Sequence, residues 1–257
     1  MHGFGVGHRA DPVRHGNRAD LRSDDGGICG RCGLYPRGLR RPLPLWHRRR
    51  ARPDASAPRD HPGKPLADTR AFVEKLKSQD GVGALPPIVL AALRKRMGAL
   101  SAEIAHGVLF ANASLSHLAK SLSALPSAKR HDPDFLIGNM LPVCITEDER
   151  AALALHRRRL ERYVLLPNYR NYWKEAGYCE EMTAIEQALA NNRRDDIPKY
   201  LTDRWIADNS LYGPAGKIRD RLGEWYAAGL NTPVLVPNSV NGNQLIALEE
   251  IFAAFAA

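Results

Sequence analysis

From residue 86 onward, short apolar runs alternate with stretches of helical periodicity, and this alternation limits the fold more than any other feature. Uninterrupted apolar segments predict strands at 86–92, 107–111, within 135–145 and at 232–237. Because these runs are apolar throughout, both faces of each predicted strand are expected to be covered. Strands separated by helices form βα units, which pair as a parallel sheet. Four such units make half of an eight-stranded barrel, a fold of the α/β class.

The segments between the predicted strands have the spacing of amphipathic helices. One helix follows the first strand, with Leu93, Met97, Leu100 and Ile104 on a single stripe. Thr146 and Glu149 fit a capping box, which predicts a helix from there to about residue 163. Further helices are predicted over 67–77, 115–125, parts of 168–212, from Gly213-Pro214 to Gly229, and at the end of the chain.

Residues 1–63 have a different composition from the rest of the chain. They contain 13 Arg and 6 Asp but neither Lys nor Glu, so this segment carries +7 of the net charge of +9. Its 10 Gly and 7 Pro interrupt every candidate helix or strand. The segment is therefore predicted to be irregular or disordered. The predicted domain division is 1–63 and 64–257.

Two interpretations of residues 1–63 stay open. The segment is either a genuine Arg-rich arm or the product of reading a GC-rich gene out of frame, since Arg, Pro, Gly and Ala have GC-rich codons. Its Cys29-Gly-Arg-Cys32 motif lacks two further ligands at zinc-site spacing, so no metal site is predicted. An Arg-rich arm could bind nucleic acid through phosphates. The nearly balanced charge of residues 64–257 argues against that function for the whole chain.

The sequence contains neither the apolar run of a membrane span nor that of a secretory signal, and this bears on where in the cell the protein is expected. No apolar run reaches the roughly 18 residues that a membrane span needs, and the first residues lack the apolar core of a secretory signal. Four cysteines in 257 residues do not form a disulfide framework. We expect a cytoplasmic protein with no membrane partner.

Several stretches of the second segment resemble the carboxyl-terminal half of the bacterial luciferase-like monooxygenase family. The resemblance lies in their order and spacing along about three quarters of the chain. The stretches are KPLADTR at 64–70, PIVLAALRKRM at 87–97, AEIAHGV at 102–108, LLPNYR at 165–170, LYGPA at 211–215 and AGLNTPVLVP at 228–237.

The resemblance implies a TIM-type barrel, with the four predicted strands as barrel strands 5 to 8. Strands 1 to 4 should precede them, and nothing in residues 1–63 has a strand pattern. Members of the family are flavin- or deazaflavin-dependent oxidoreductases and monooxygenases. The implied cofactor is FMN or a deazaflavin coenzyme of the F-420 type, and the implied substrate is a small organic molecule.

The carboxyl ends of the strands are where barrel enzymes carry their sites. The first such end is Ala92, Leu93, Arg94, Lys95 and Arg96, which runs into a helix N-terminus. Backbone N–H groups and basic side chains there suit a phosphate, and the resemblance implies that the cofactor phosphate binds at this junction. A solvated basic turn is the alternative. No catalytic residue is predicted, because the family's acid or base groups would largely come from strands 1 to 4.

At the end of the last predicted strand, Asn238 and Ser239 could hydrogen-bond a cofactor ring or a substrate. The alternative is an ordinary polar loop. His106 stands where the family usually has Asp, at the opposite end of a strand, and is expected to be structural. The other histidines of this segment are expected at the surface: His117, His131 and His156.

Three functions are therefore carried forward. The first is a luciferase-like flavin- or deazaflavin-dependent oxidoreductase. The second is an inactive, degenerate relative whose open strand edges would favour association, so that a homo-oligomer is expected. The third is nucleic-acid binding by residues 1–63, which their scarcity of aromatic residues for base stacking disfavours.

Overall fold

The structure is a computed structural model that describes residues 45–47, 64–79 and 83–256. The expectations for residues 1–63, including the arm, the out-of-frame reading and the Cys29/Cys32 motif, lie outside the described residues except at 45–47. At those three positions the chain forms a strand, which the composition of the segment did not predict.

In the part of the chain that the structure describes, six strands form one sheet in which every pair is parallel, as the alternation predicted. The sheet order is β1-β2-β3-β4-β5, with β6 also paired to β4. All four predicted strands are present, and β1 and β5 are additional. The strands are β1 Leu45–His47, β2 Ile88–Ala92, β3 Gly107–Ala111, β4 Leu136–Ile145, β5 Leu211–Gly213 and β6 Thr232–Asn238.

Strand β4 organises the sheet because it is long enough to have three neighbours. Its first half pairs with β3, from Gly107 opposite Leu136 to Ala111 opposite Met140. Its end pairs with the short strand β5, from Val143 to Ile145. Strand β6 pairs with β4 over residues 138–144. The carboxyl ends of β3, β4 and β6 consequently meet on one side of the molecule.

Helices connect the strands where the periodicity predicted them. They are α1 Pro65–Lys77, α2 Lys95–Ile104, α3 Leu115–Leu122, α4 Ser127–Arg130, α5 Glu149–Val164, α6 Pro167–Glu175, α7 Cys179–Ala190, α8 Ile197–Tyr200, α9 Asp203–Asn209, α10 Ala215–Ala227 and α11 Gln244–Phe255, with a 3₁₀ turn at Arg194–Asp196. None of the helices in the described residues is long and apolar enough to cross a membrane.

The predicted capping box at α5 is wrong. Asp148, not Thr146, is the N-cap residue, and its carboxylate accepts a hydrogen bond from the Ala151 amide at 2.9 Å. The Thr146 hydroxyl oxygen instead accepts from the Asp148 amide at 3.0 Å. The sequence does contain the capping-box pattern Thr-x-x-Glu, but Asp148, directly before Glu149, is as good an N-cap residue for α5 as Thr is. The chain therefore enters the helix two residues later than predicted.

The core lies between the sheet and helices α5, α6, α9 and α10. Trp173, Trp205 and Trp225 are fully buried within it. The rings of Trp173 and Trp205 meet edge to face with centroids 4.7 Å apart, the geometry that aromatic quadrupoles favour. On α10 the buried residues include Ile218 and Trp225, the stripe predicted from the sequence.

Two histidines expected at the surface are buried. The His117 ring lies edge-on to Tyr172 at 5.6 Å, and burial lowers its pKa. His156 is fully buried; its Nε2 donates to the Leu211 carbonyl at 3.2 Å, and burial lowers its pKa to about 4. His106 is structural as expected, because its Nδ1 accepts a hydrogen bond from the Ile88 amide at 3.0 Å.

Candidate functional site

The carboxyl ends of β2 and β3 open into a cavity of about 1000 Å³, here called the large cavity. Its size is at the upper end of the range typical of ligand pockets. All five residues predicted at the strand–helix junction line it. The lining residues are 64–67, Ala91, Ala92, Leu93, Arg94, Lys95, Arg96, Met97, Ala111, Asn168, Tyr169 and Glu175.

The N-terminus of α2 points its first turn at the large cavity. Arg94 is the N-cap residue in an extended conformation, and its carbonyl accepts hydrogen bonds from the Met97 and Gly98 amides at 3.2 Å each. No side chain among the described residues caps this end of α2. The first amides of a helix without such a cap, together with the positive end of the helix dipole, form an anion-binding arrangement.

The three basic side chains at the start of α2 differ in whether an ion pair already neutralises them. The Arg94 guanidinium forms an ion pair with Glu175, the carboxylate among the lining residues. Lys95 and Arg96 are exposed and form no ion pair with any of the residues that the structure describes. Two of the three basic side chains thus remain for a ligand.

The large cavity also has apolar lining residues. Leu66, Leu93 and Met97 are half-buried, and Tyr169 is only 4% exposed. A ligand that carries both a phosphate and a flat aromatic system matches a lining that combines basic and apolar side chains. FMN and deazaflavin coenzymes both have those two parts, so the lining residues fit either group.

Asn238 does not lie in the large cavity. It lines a second cavity of about 320 Å³, the small cavity, at the carboxyl ends of β4 and β6. The Asn238 amide nitrogen donates to the Val236 carbonyl at 2.8 Å. The lining residues are Asn112, Met140, Pro142, Arg159, Leu160, Arg162, Tyr163, Val236, Pro237, Asn238, Ser239, Gly242, Asn243 and Gln244. The structure therefore divides the predicted site residues between two cavities.

A pair of aromatic rings connects the linings of the two cavities. Tyr163 lines the small cavity and Tyr169 the large one, and their ring centroids are 5.0 Å apart. The consecutive residues Ala111 and Asn112 at the end of β3 are divided in the same way. The two cavities are therefore immediate neighbours, which the sequence could not show.

A buried hydrogen-bond network holds the loop that follows β3. Ser114 donates from its hydroxyl to the Asn209 side-chain oxygen at 2.9 Å, and Trp173 Nε1 donates to the same oxygen at 2.9 Å. The Ser114 amide donates to the Tyr172 hydroxyl oxygen at 3.0 Å, and burial raises the pKa of Tyr172 to about 12. This network ties the loop after β3 to helices α6 and α9.

The described residues include no group of three or more His, Cys, Asp or Glu side chains placed to hold a metal ion. Cys144 is buried at the end of β4, and burial raises the pKa of its thiol to about 11. It is therefore a protonated core residue rather than a thiolate nucleophile at neutral pH.

A parallel sheet with helices between its strands and cavities at the carboxyl ends of those strands defines an α/β protein. The family model described as luciferase-like monooxygenase matches residues 45–232 of the chain. The chain belongs to that family, as the resemblance predicted, and the match begins at strand β1. No curated protein matches the chain.

Solved structures show the same fold. The chain superposes on the coenzyme F420 dependent tetrahydromethanopterin reductase from Methanopyrus kandleri with a TM-score of 0.52 and 17% identity, covering 65% of this chain and 49% of that one. It also superposes on an F420-dependent secondary alcohol dehydrogenase in complex with an F420–acetone adduct, with a TM-score of 0.55 and 11% identity, covering 77% and 63%. The chain thus spans about half to two thirds of the length of these structures.

Proposed function

We propose that this chain holds the cofactor of an oxidoreductase that uses FMN or a deazaflavin coenzyme on a small organic substrate. The observation that carries the proposal is the large cavity, which joins an uncapped helix N-terminus and two unpaired basic side chains to apolar lining residues. When bound, either cofactor supplies hydride or electron transfer, and reduced FMN also activates dioxygen.

The work assigned to this chain is binding, orientation and exclusion of water. The amides at the start of α2, with Lys95 and Arg96, hold the phosphate. Leu66, Met97 and Tyr169 pack against the ring system and keep water from it. Glu175 holds Arg94 in place through their ion pair. No catalytic residue is assigned, because the lining includes no histidine and its one carboxylate is already paired.

The experiment is a titration of the chain with FMN and, separately, with a deazaflavin coenzyme, followed by cofactor fluorescence. The double variant Lys95→Gln/Arg96→Gln should weaken binding about tenfold or more, because charge-assisted hydrogen bonds each contribute about 1.5–3 kcal/mol. The matched control is Lys75→Gln, which removes an exposed charge in the last turn of α1, outside the lining residues.

Binding of neither cofactor would overturn the proposal and favour an inactive relative. If the double variant binds the cofactor as tightly as the unaltered chain, the phosphate does not bind at the start of α2. Nucleic-acid binding through the arginines of residues 1–63 falls outside the described residues and is not proposed. The cytoplasmic location stays a prediction.

A further inference from the structure

We infer that the small cavity binds the oxyanion of the substrate, so that the substrate is a small organic molecule carrying a carboxylate or phosphate. This inference rests on the proposed function, because it takes the large cavity as the place of the cofactor. It assigns to Arg159 and Arg162 the recognition of the substrate's charge. Both residues lie on α5, and neither belongs to the stretches that resemble the family.

Arg159 and Arg162 are exposed residues that both line the small cavity. They are three residues apart on α5, which places them on one side of the helix. The Arg162 guanidinium lies 5.0 Å from the ring centroid of Tyr163 and donates to its hydroxyl oxygen at 3.3 Å. Stacking of this kind holds a guanidinium in place while leaving most of its donors available.

No carboxylate neutralises this pair within the described residues. Arg157, on the same helix, forms an ion pair with Asp203 and donates to the Leu201 carbonyl at 3.0 Å. Arg159 and Arg162 have no such ion pair, and none of the lining residues is acidic. Two exposed guanidinium groups that line one cavity, without an ion-pair partner among the described residues, favour an anionic ligand, and their fork geometry suits carboxylate and phosphate.

Glu250 hydrogen-bonds the loop that follows β6. Its Oε1 accepts from the Ser239 hydroxyl and from the Asn241 side-chain nitrogen, both at 2.9 Å, while its buried Oε2 has no partner among the described residues. Asn243 caps α11 through the Leu245 amide at 2.9 Å, so the start of that helix has its own acceptor. The anion is therefore expected at the arginines and not at the helix end.

The position of the small cavity suits a substrate rather than the cofactor. About 320 Å³ is small for a cofactor with a tricyclic ring and a phosphate chain, and it lies at the lower end of ligand pockets. Tyr163 of its lining packs against Tyr169 of the large cavity, and the end of β3 contributes one residue to each lining. A substrate anchored by its charge at the arginines would extend its uncharged part toward the cofactor.

The test measures oxyanion binding without any turnover. Inorganic phosphate and glutarate are titrated calorimetrically into the chain in the Lys95→Gln/Arg96→Gln background, which removes competing phosphate binding at α2. Adding Arg159→Gln/Arg162→Gln should weaken binding of both probes about tenfold or more. Arg158→Gln, a neighbouring exposed arginine outside both cavities, is the control and should leave affinity within about twofold.

A second variant guards against loss of structure. Arg159→Lys/Arg162→Lys keeps both charges and should retain part of the affinity, while circular dichroism verifies that each variant is folded. Tight binding of glutarate with weak binding of phosphate would indicate that the substrate carries a carboxylate. Tight binding of phosphate with weak binding of glutarate would indicate that it carries a phosphate. Probe binding that is absent, or unchanged in Arg159→Gln/Arg162→Gln, would overturn the inference.

The cofactor titration separates this inference from the proposed function. Arg159→Gln/Arg162→Gln, made in the otherwise unaltered chain, should bind FMN or the deazaflavin as that chain does. If the cofactor binds but the oxyanions do not, the inference fails and the proposed function stands. If cofactor affinity falls with the arginines and not with Lys95 and Arg96, the cofactor phosphate occupies the small cavity and the substrate assignment is wrong.

Discussion

The side chain of Asn139 hydrogen-bonds both the backbone amide and the backbone carbonyl of Ala113. Its Oδ1 accepts from the Ala113 amide at 3.2 Å and its Nδ2 donates to the Ala113 carbonyl at 3.3 Å, with both residues fully buried. Asn139 belongs to the middle of β4, and Ala113 follows Asn112, which takes a left-handed conformation with φ 57°. One amide thus fixes the turn that forms part of the small cavity.

Replacing Asn139 with Ala should destabilise the fold by about 2–3 kcal/mol, because two buried backbone groups lose their partners. Equilibrium unfolding in urea measures the change. The same variant should weaken oxyanion binding at the small cavity, since Asn112 would no longer be held. Loss of stability with unchanged oxyanion affinity would show that the turn keeps its shape without Asn139.

Tyr163→Ala should weaken FMN or deazaflavin binding by about two- to tenfold, although Tyr163 is not among the residues that line the large cavity. The aromatic pair with Tyr169 is worth about 0.5–1.5 kcal/mol and fixes the ring that does line it. Tyr163→Phe retains the ring and should bind the cofactor normally. An effect of Tyr163→Phe as large as that of Tyr163→Ala would assign the loss to the hydroxyl group.

Two glycine substitutions should act in opposite directions. A Cβ at Gly107 would lie 2.6 Å from Leu136 Cβ and 2.7 Å from Leu136 O, so Gly107→Ala should force β3 and β4 apart and destabilise the fold. At Gly98, inside α2, nothing lies within 4 Å of an added Cβ. Gly98→Ala should therefore stabilise by about 0.5–1 kcal/mol. Thermal unfolding of both variants measures the contrast, which equal effects would contradict.

His156 should make stability depend on pH in mildly acidic solution. The unfolded chain takes up this proton near the ordinary pKa of 6.5, while the folded chain does so near 4, because burial disfavours the charged ring. The unfolded state thus binds more protons between these values, and stability falls as the pH drops from 6.5 to 4, by about 3 kcal/mol from this residue. Above pH 6.5 the residue adds no pH dependence.

The comparison variant is His156→Gln, in which the amide can still donate to the Leu211 carbonyl. Urea unfolding at a series of pH values should show a smaller loss of stability for His156→Gln than for the unaltered chain between pH 6.5 and 4. Carboxylates contribute equally to both proteins, so the difference isolates the histidine. Parallel pH profiles would mean that His156 is hydrated enough to keep an ordinary pKa.

The chain is expected to self-associate through its last helix. Leu245 and Phe252 on α11 are 68% and 72% exposed, and no described strand pairs with the outer edge of β6. A second copy could cover this apolar surface. Light scattering should show a smaller mass for Leu245→Gln/Phe252→Gln, with Arg130→Gln as an exposed control. A monomer at every concentration before mutation would contradict the expectation.

The strands that could be predicted from the sequence are those with a long apolar run. Strands β2, β3, β4 and β6 are runs of at least five mostly apolar residues. Strands β1 and β5 have three residues each, too few for a period, and exist because β2 and β4 offer them hydrogen-bonding edges. Tertiary pairing, not local propensity, decides such short strands.

The residues of the candidate site also fall into two groups, those that local sequence predicts and those that only tertiary pairing brings together. The junction at Ala92–Arg96 was predictable because a strand end and a helix start are adjacent in sequence. Arg159 and Arg162 have the pattern of an ordinary solvated helix face, and Tyr163 that of a core residue. Only the pairing of β6 with β4 brings the loop at Asn238 beside them. No periodicity or spacing encodes that approach.

The described residues that line the large and small cavities belong to 64–244, and β4 lies between β3 and β6 among them. In protein engineering terms, the strand–helix units around β4 are the part to keep constant when ligand preference is altered. Substitutions at exposed lining positions such as Lys95 and Arg159 would change the charge offered to a ligand without touching the buried sheet.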